Sequence, residues 1–221
     1  MGSALASTFI SRKNPNDRAS LHFLEAMLAG GMSPNKSTKY GTTLLQRAAG
    51  GSDTIEQVKL LVDDGADVNA HDNIGRTALV DSISAENPAI GIYLVEHGAA
   101  VDTSTTTGVT PAWQVQGALD HLHSDPMHTE FEKLGDLMIG KGVNWPPDSP
   151  EVVREQMRAK GLNPVVPAGH TPEAWAVETR RPGQSRFQSR FLIVRVVQPA
   201  SAAASIPPVT GRNTTVSQTR R

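Results

Sequence analysis

The chain has 221 residues, a formal net charge of −1 and 5% aromatic residues. It contains no cysteine, which excludes disulfides, thiol nucleophiles and thiolate metal sites. No apolar run approaches the roughly 20 residues that a membrane-spanning helix needs, and the first residues lack the pattern of a secretory signal. We therefore expect a cytoplasmic protein without a membrane span.

Charge is divided unevenly along the chain. Of the 21 Lys and Arg and the 22 Asp and Glu, the stretch after residue 179 holds eight arginines and no acid. Residues 1–179 therefore hold 13 basic and 22 acidic residues. Such a separation is typical of a solvated basic tail or of an electrostatic contact region. We expect the tail, 181–221, to be largely disordered.

Two short phrases recur along the chain. The first, Gly-x-Thr followed by small or apolar residues, begins at Gly41, Gly75, Gly108 and again at Gly169. The second, Gly-Ala-x-Val-Asn/Asp, begins at Gly65 and Gly98, with a looser copy at Gly31. Both phrases return after 34 and then after 33 residues. Because the two phrases share one period and one phase, they indicate a structural repeat.

Each unit carries the signals of a helix pair. Thr43, Thr77 and Thr110 stand where a first helix would begin, and a Thr hydroxyl there can accept from an early helical amide. The glycine of the second phrase would end the second helix in a left-handed conformation. Apolar residues recur with a helical period in 55–62 and 90–95. A lone helix pair cannot bury these faces, whereas stacked units bury them together.

The predicted units follow in chain order over about 4–38, 39–71, 72–104 and 105–145, with a partial unit in 146–180. In the first unit, a helix is predicted around 4–10 and a second helix around 21–28. The domain of repeats therefore spans 1–180, and the basic tail follows it.

The fourth unit is stretched. From Gly98 to Gly142 the chain runs 44 residues, about eleven more than one period. We assign the excess to a loop near 120–130 that contains Asp125 and Pro126, after which the second helix resumes over 131–139. Loop insertions in repeat proteins often lie on a binding face, and drift without function is the alternative.

The last predicted elements are short. One helix is predicted over about 150–160, and another from Gly169 to Glu178 would cap the stack. The segment 187–197 has a strand-like composition, and it either docks on the last repeat or stays loose. Gly, Ser, Pro, Thr and Arg dominate 199–221, where we predict disorder.

The phrases and their period resemble the ankyrin family, whose unit is about 33 residues. The resemblance covers roughly 4–180 and is most specific in 39–104. It implies an all-α fold, a solenoid of stacked antiparallel helix pairs joined by β-hairpin-like loops. The family's usual Thr-Pro-Leu-His becomes Thr43-Leu44-Leu45-Gln46, Thr77-Ala78-Leu79-Val80 and Thr110-Pro111-Ala112-Trp113. No repeat keeps the His that commonly bonds between repeats.

The resemblance implies a partner-binding surface along the hairpin tips and the inner helices. Carried over position by position, the predicted partner residues are Lys39, Tyr40, Thr42, Gln46, Asn73, Ile74, Arg76, Val80, Ser84, Thr106, Thr107, Val109, Trp113 and Gln116. Burial in the elongated repeat is the alternative for Trp113. Packing against the neighbouring hairpin is the alternative for Ile74, which would otherwise be exposed apolar surface.

The function implied is protein binding rather than catalysis. We expect an adaptor or inhibitor that acts as a monomer, without a cofactor or a metal, and whose acidic body favours a basic partner. One version is a microbial immunity protein that neutralises a toxin, or an effector that binds host proteins. The motifs of serine hydrolases, zinc proteases, phosphate loops and dinucleotide sites are missing from the sequence.

Two other classes of function have weaker signals in the sequence. His121, His123 and His128, with Asp120 and Asp125 nearby, have residue types that can bind zinc, but a solvated insertion loop explains them better. The arginines of the tail, interleaved with Phe187 and Phe191, suggest contact with nucleic acid or an anionic surface. Neither pattern is as specific as the repeat, so nucleic acid is not the expected partner.

Overall fold

The computed structural model describes residues 18–122 and 126–167. These residues form eight α-helices: α1 (Arg18–Ala29), α2 (Leu44–Ala49), α3 (Ile55–Asp63), α4 (Ala78–Ser84), α5 (Pro88–Glu96), α6 (Pro111–His121), α7 (Pro126–Gly140) and α8 (Pro150–Ala159). Isolated antiparallel bridges join Ser37 to Thr43 and His71 to Thr77. In the described part of the chain, no helix is both long enough and apolar enough to cross a membrane.

The helices stack in two rows. The first helices of the units, α2, α4 and α6, contact one another in sequence, and the second helices α1, α3, α5 and α7 form the other row. Each first helix also packs on the second helix of its own unit. This arrangement confirms the predicted all-α solenoid of helix pairs.

The predicted caps are present at the start of each first helix. The hydroxyls of Thr43, Thr77 and Thr110 accept the amide three residues later, over 3.1, 3.4 and 3.2 Å. These bonds satisfy one of the amides that lack a helical partner. At the far end of the second helices, Gly65 and Gly98 have φ values of +85° and +93°, as their position predicted.

The core fills the space between the two rows. Ala48 and Ala49 of α2 are fully buried, as are Leu61 of α3 and Leu94 of α5. Small side chains on the first helices let the rows approach closely, and aliphatic side chains of the second helices fill the gaps between units. Stacking therefore buries faces that no single unit could bury alone.

Asparagine side chains join the loops that follow the second helices. Asn35 Nδ2 donates to Gly65 O at 3.0 Å, and Asn35 Oδ1 accepts from Asp67 N at 2.7 Å. One repeat later, Asn69 binds Gly98 O at 3.1 Å and Ala100 N at 2.7 Å in the same way. We call this paired contact the asparagine clamp. It gives a structural role to the last residue of the second sequence phrase.

The structure of the fourth unit corrects our prediction that its extra residues form an insertion loop. α6 has 11 residues where α2 and α4 have 6 and 7, and α7 has 15 where α3 and α5 have 9 each. The extra residues therefore lengthen both helices, and α7 begins at Pro126 rather than near 131. Proline is tolerated in the first turn of a helix, and Pro126 is the first residue of α7.

The last described helix agrees with its prediction. α8 spans Pro150–Ala159, against the predicted 150–160, and the Ser149 hydroxyl caps it by accepting from Val152 N. It buries Val153 and Arg154. Several predicted segments lie outside the described residues: the helix around 4–10, the helix at 169–178 and the tail 181–221. The predicted repeat boundaries remain predictions.

Candidate partner-binding surface

The hairpin tips 38–42, 72–76 and 105–109 close in the same way. In each tip the first residue donates its backbone N–H to the carbonyl oxygen of the last, over 2.9, 3.0 and 2.9 Å. The fourth residue is a glycine with a φ of +82°, +78° or +82°, a left-handed backbone that glycine adopts without strain. The third residues of the tips are Tyr40, Ile74 and Thr107; the first two are exposed, whereas Thr107 is half-buried.

Backbone hydrogen bonds join neighbouring tips. Asn73 N donates to Tyr40 O at 3.0 Å, and Thr106 N donates to Ile74 O at 2.9 Å. Val165 N then donates to Thr106 O at 2.7 Å, so the chain beyond α8 returns to extend the row. We call Tyr40, Asn73, Ile74, Thr106 and Val165 the tip ladder.

The tip ladder exposes large apolar side chains. Tyr40 is 63% exposed and Ile74 is 49% exposed. Lys39 Nζ lies 4.8 Å from the centroid of the Tyr40 ring, within the range of a cation–π contact. Val165 and Val166 are exposed as well. Sequence reasoning missed both valines, because no repeat phrase marks the segment after α8.

The chain itself covers the tip 105–109. Arg154 Nη1 donates to Thr107 O at 2.9 Å, and a Cβ added to Gly108 would collide with the backbone oxygen of Pro150. The start of α8 therefore packs directly on this tip. The predicted partner residues here are half-buried: Thr106, Thr107 and Val109.

Two predicted partner residues lie inside the stack. Gln46 and Val80 are each 1% exposed. Gln46 completes a capping box with Thr43, and its Nε2 donates to Arg76 O in the next repeat at 2.7 Å. The prediction is wrong for Gln46 and Val80, because this position of the helix faces the neighbouring repeat. Gln46 makes a bond between repeats at the position where the family commonly has His.

Arg76, another predicted partner residue, is engaged within the chain. Its Nε lies 3.1 Å from Asp72 Oδ2 and 3.7 Å from Asp81 Oδ1. Asp72 also accepts the amides of Ile74 at 3.0 Å and Arg76 at 2.9 Å. The Arg76 side chain is nevertheless 43% exposed, so its outer surface stays accessible while the ion pair holds it in place.

Asp81 of α4 differs from Asp72 in its environment. The pKa of Asp81 is raised to about 6, chiefly by burial and to a smaller extent by the nearby Asp72 carboxylate. The Arg76 guanidinium and a hydrogen bond from Gln46 oppose the rise in pKa without cancelling it. Sequence reasoning did not single out Asp81, because its burial depends on the repeat stacked beside it.

The other predicted residues lie on the first helices and the tips. Ser84 is exposed, and its Oγ accepts from Gln114 Nε2 at 2.9 Å. Trp113 and Gln116 are half-buried, and Gln116 Nε2 donates to Asp120 Oδ1 at 2.9 Å. Lys39 and Asn73 are exposed, and Thr42 is half-buried.

The histidine group of the fourth unit is only partly described. His121 is exposed at the end of α6, and His128 is half-buried in α7. His123 and Asp125 lie outside the described residues. Within 18–122 and 126–167, no group of three His, Cys, Asp or Glu side chains is placed to hold a metal ion.

Residues 15–105 match the family described as ankyrin repeats, in three copies. This segment therefore belongs to the ankyrin-repeat family, as the two phrases predicted. Ankyrin repeats are generally protein–protein interaction modules and are typically not catalytic. α6 and α7 lie beyond the matched residues, yet they continue the same two rows. No curated protein matches the sequence.

Proposed function

We propose that this protein binds a partner protein through the tip ladder and the adjoining first helices, as a non-catalytic adaptor or inhibitor. The observation that carries the proposal is the exposure of Tyr40 and Ile74 on consecutive tips. Backbone hydrogen bonds hold these tips in register, so the two side chains form a fixed apolar surface. Exposed apolar surface of this kind is typical of contact sites.

The residue types support the same proposal. Tyr and Arg are enriched among residues whose truncation costs most binding energy, and Tyr40 and Arg76 lie on adjacent tips. A rigid surface also loses little conformational entropy on binding.

The proposal is tested by affinity purification with mass spectrometry, followed by calorimetry with the purified candidate partner. We expect Tyr40→Ala and Ile74→Ser each to weaken binding by about tenfold or more, as for a central contact residue. Val152→Ser is the matched control, because Val152 is 41% exposed on α8, outside the tip ladder. Equal affinity of all three variants and the unsubstituted protein would refute the mapped surface.

Arg76→Ala is a poor first test of the surface. Removing the guanidinium would leave Asp72, which is 4% exposed, and Asp81 without their cation. An uncompensated buried charge destabilises a fold by several kcal/mol. A loss of binding in that variant would therefore report on folding as much as on contact, whereas Tyr40 and Ile74 are free of this ambiguity.

A further inference from the structure

Two carboxylates share one guanidinium at the junction of repeats 39–71 and 72–104. Asp72 is 4% exposed and receives two backbone amides in addition to Arg76 Nε at 3.1 Å. Asp81 is 14% exposed, lies 3.7 Å from the same nitrogen, and accepts from Gln46 Nε2 at 3.4 Å. The Arg76 guanidinium therefore pairs more closely with Asp72 than with Asp81. Asp81 keeps acceptor capacity, since a carboxylate offers about four acceptor positions.

Asp81 lies in the row of first helices and keeps 14% of its side chain exposed. It occupies the same place on α4 as Arg47 on α2 and Gln114 on α6, with spacings of 34 and 33 residues. A Cβ added to Gly50 would lie 3.9 Å from Asp81 Cβ. Because Gly50 has no side chain, it places no side-chain atom in the space beside Asp81.

Charges around Asp81 favour a cationic group. Arg76 and Asp72 from the tip act on its pKa, together with the uncharged Gln46. The charged or titratable residues of the helices packed on α4 are Arg47 of α2, Tyr93 and Glu96 of α5, and Asp120 and His121 of α6. The trio of Asp72, Arg76 and Asp81 carries a net charge of −1 when both acids are ionised. A further cation would balance it.

We propose that the partner segment bound along the tip ladder carries an arginine or lysine side chain that binds the Asp81 carboxylate beside Gly50. This inference rests on the proposed function, because Asp81 lies beside the tip that presents Ile74. Binding of the cation is coupled to loss of a proton from Asp81. The affinity should therefore fall as the pH drops below about 6, the pKa to which burial raises this carboxyl.

The test uses a displayed library of random 12-residue peptides, selected at pH 7.5 on the full chain. Counter-selection on the double variant Tyr40→Ala, Ile74→Ser keeps the peptides that require the tip ladder. We expect these peptides to be enriched in Arg or Lys at one position relative to the library. A synthetic peptide of the enriched sequence then serves as the probe for calorimetry.

Four results are expected with that peptide. First, Asp81→Asn weakens binding about tenfold. Second, replacing the peptide's Arg or Lys by Gln weakens binding to the unsubstituted protein but adds little further loss with Asp81→Asn, because the two groups interact with each other. Gly50→Lys, which places a tethered ammonium beside Asp81, weakens binding more than Gly50→Gln. Between pH 7.5 and pH 5 the affinity falls on the order of tenfold, as expected for a carboxyl titrating near pH 6.

The two proposals fail in different ways. Peptides that require Tyr40 and Ile74 but show no enriched cation, or that bind Asp81→Asn with unchanged affinity, would overturn the Asp81 inference alone. A selection that yields no peptide dependent on the tip ladder would overturn the proposed surface, and this inference with it. Should Asp81→Asn fail to fold, the comparison of Gly50→Lys with Gly50→Gln decides the inference.

Discussion

Two junctions in the stack are built differently. One joins the helix pair α2–α3 to the pair α4–α5. The other joins the tip 105–109 to residues 150–167. We call the first one the regular junction. Its two tips are joined by a backbone hydrogen bond, and each helix packs on the corresponding helix of the next pair. In the second, the terminal junction, α8 packs on the tip and Val165 takes the place of a tip residue. The regular junction repeats the contacts of the stack, whereas at the terminal junction α8 and Val165 make different contacts with the tip.

The asparagine clamp also distinguishes the two junctions. At the regular spacing, Asn69 forms the asparagine clamp with Gly98 and Ala100 of the next loop. The corresponding residue one repeat later is Asp102. A carboxylate cannot donate to a carbonyl oxygen as an amide does. An open cavity of about 260 Å³ lies beside Asp102 and reaches Gly142 and Val153 of the following elements. A change in one clamp residue thus coincides with a change in how the chain packs.

The largest effect is expected at the terminal junction. Gly108→Ala should lower the free energy of unfolding by about 3 kcal/mol or more, because a Cβ would strain the left-handed backbone and collide with the oxygen of Pro150. Urea unfolding measures this. Gly65→Ala is the control, because it has a similar φ of +85° with open space around the Cβ, and it should cost about 1 kcal/mol. Equal losses would argue against the close contact with Pro150.

A pH-dependent effect is expected at the regular junction. Burial raises the pKa of Asp81 from 3.8 to about 6, so the folded state holds this proton more tightly than the unfolded state. The group's contribution to stability is complete below pH 3.8 and is lost as the pH rises through about 6. The loss amounts to about 2 kcal/mol after allowance for solvent screening.

Asp81→Asn should remove that dependence. The stability of the variant relative to the unsubstituted protein should rise from pH 4 to pH 6 and level off above it, as measured by thermal unfolding across the range. A difference that stays constant with pH would show that Asp81 does not bind a proton more tightly in the folded state.

A smaller effect is expected from the asparagine clamp. Asn69→Ala removes the bonds to Gly98 O and Ala100 N, and it should lower the free energy of unfolding by about 1–2 kcal/mol. The reverse change, Asp102→Asn, supplies an amide at the matching position of the next repeat. We expect that variant to gain up to about 1 kcal/mol, measured in the same urea titration. A loss on Asp102→Asn would mean that the next loop lies out of reach of the clamp.

The sequence predicts those parts of the candidate surface that follow from a residue's position within its own repeat. It does not predict the parts that depend on packing by other segments of the chain. Tyr40 and Ile74 each precede a tip glycine and are exposed, whereas Thr107 in the same position is half-buried because α8 packs on its tip. Gln46 occupies an equally regular position, yet it is buried, because the tip of the next repeat covers it. Val165 follows no phrase and joins the tip ladder through tertiary packing alone.

The sequence by itself determined the period, the threonine caps and the left-handed glycines, because each of these depends on a few adjacent residues. Only the tertiary structure decided that the fourth unit has longer helices and that α8 covers a tip. It also decided that Arg76 is divided between two carboxylates. The contact of α8 with the tip joins residues that are 47 apart in the chain. Asp72 and Asp81 are close to Arg76 in the sequence, but the burial of Asp81 and its bond from Gln46 exist only once the units have stacked.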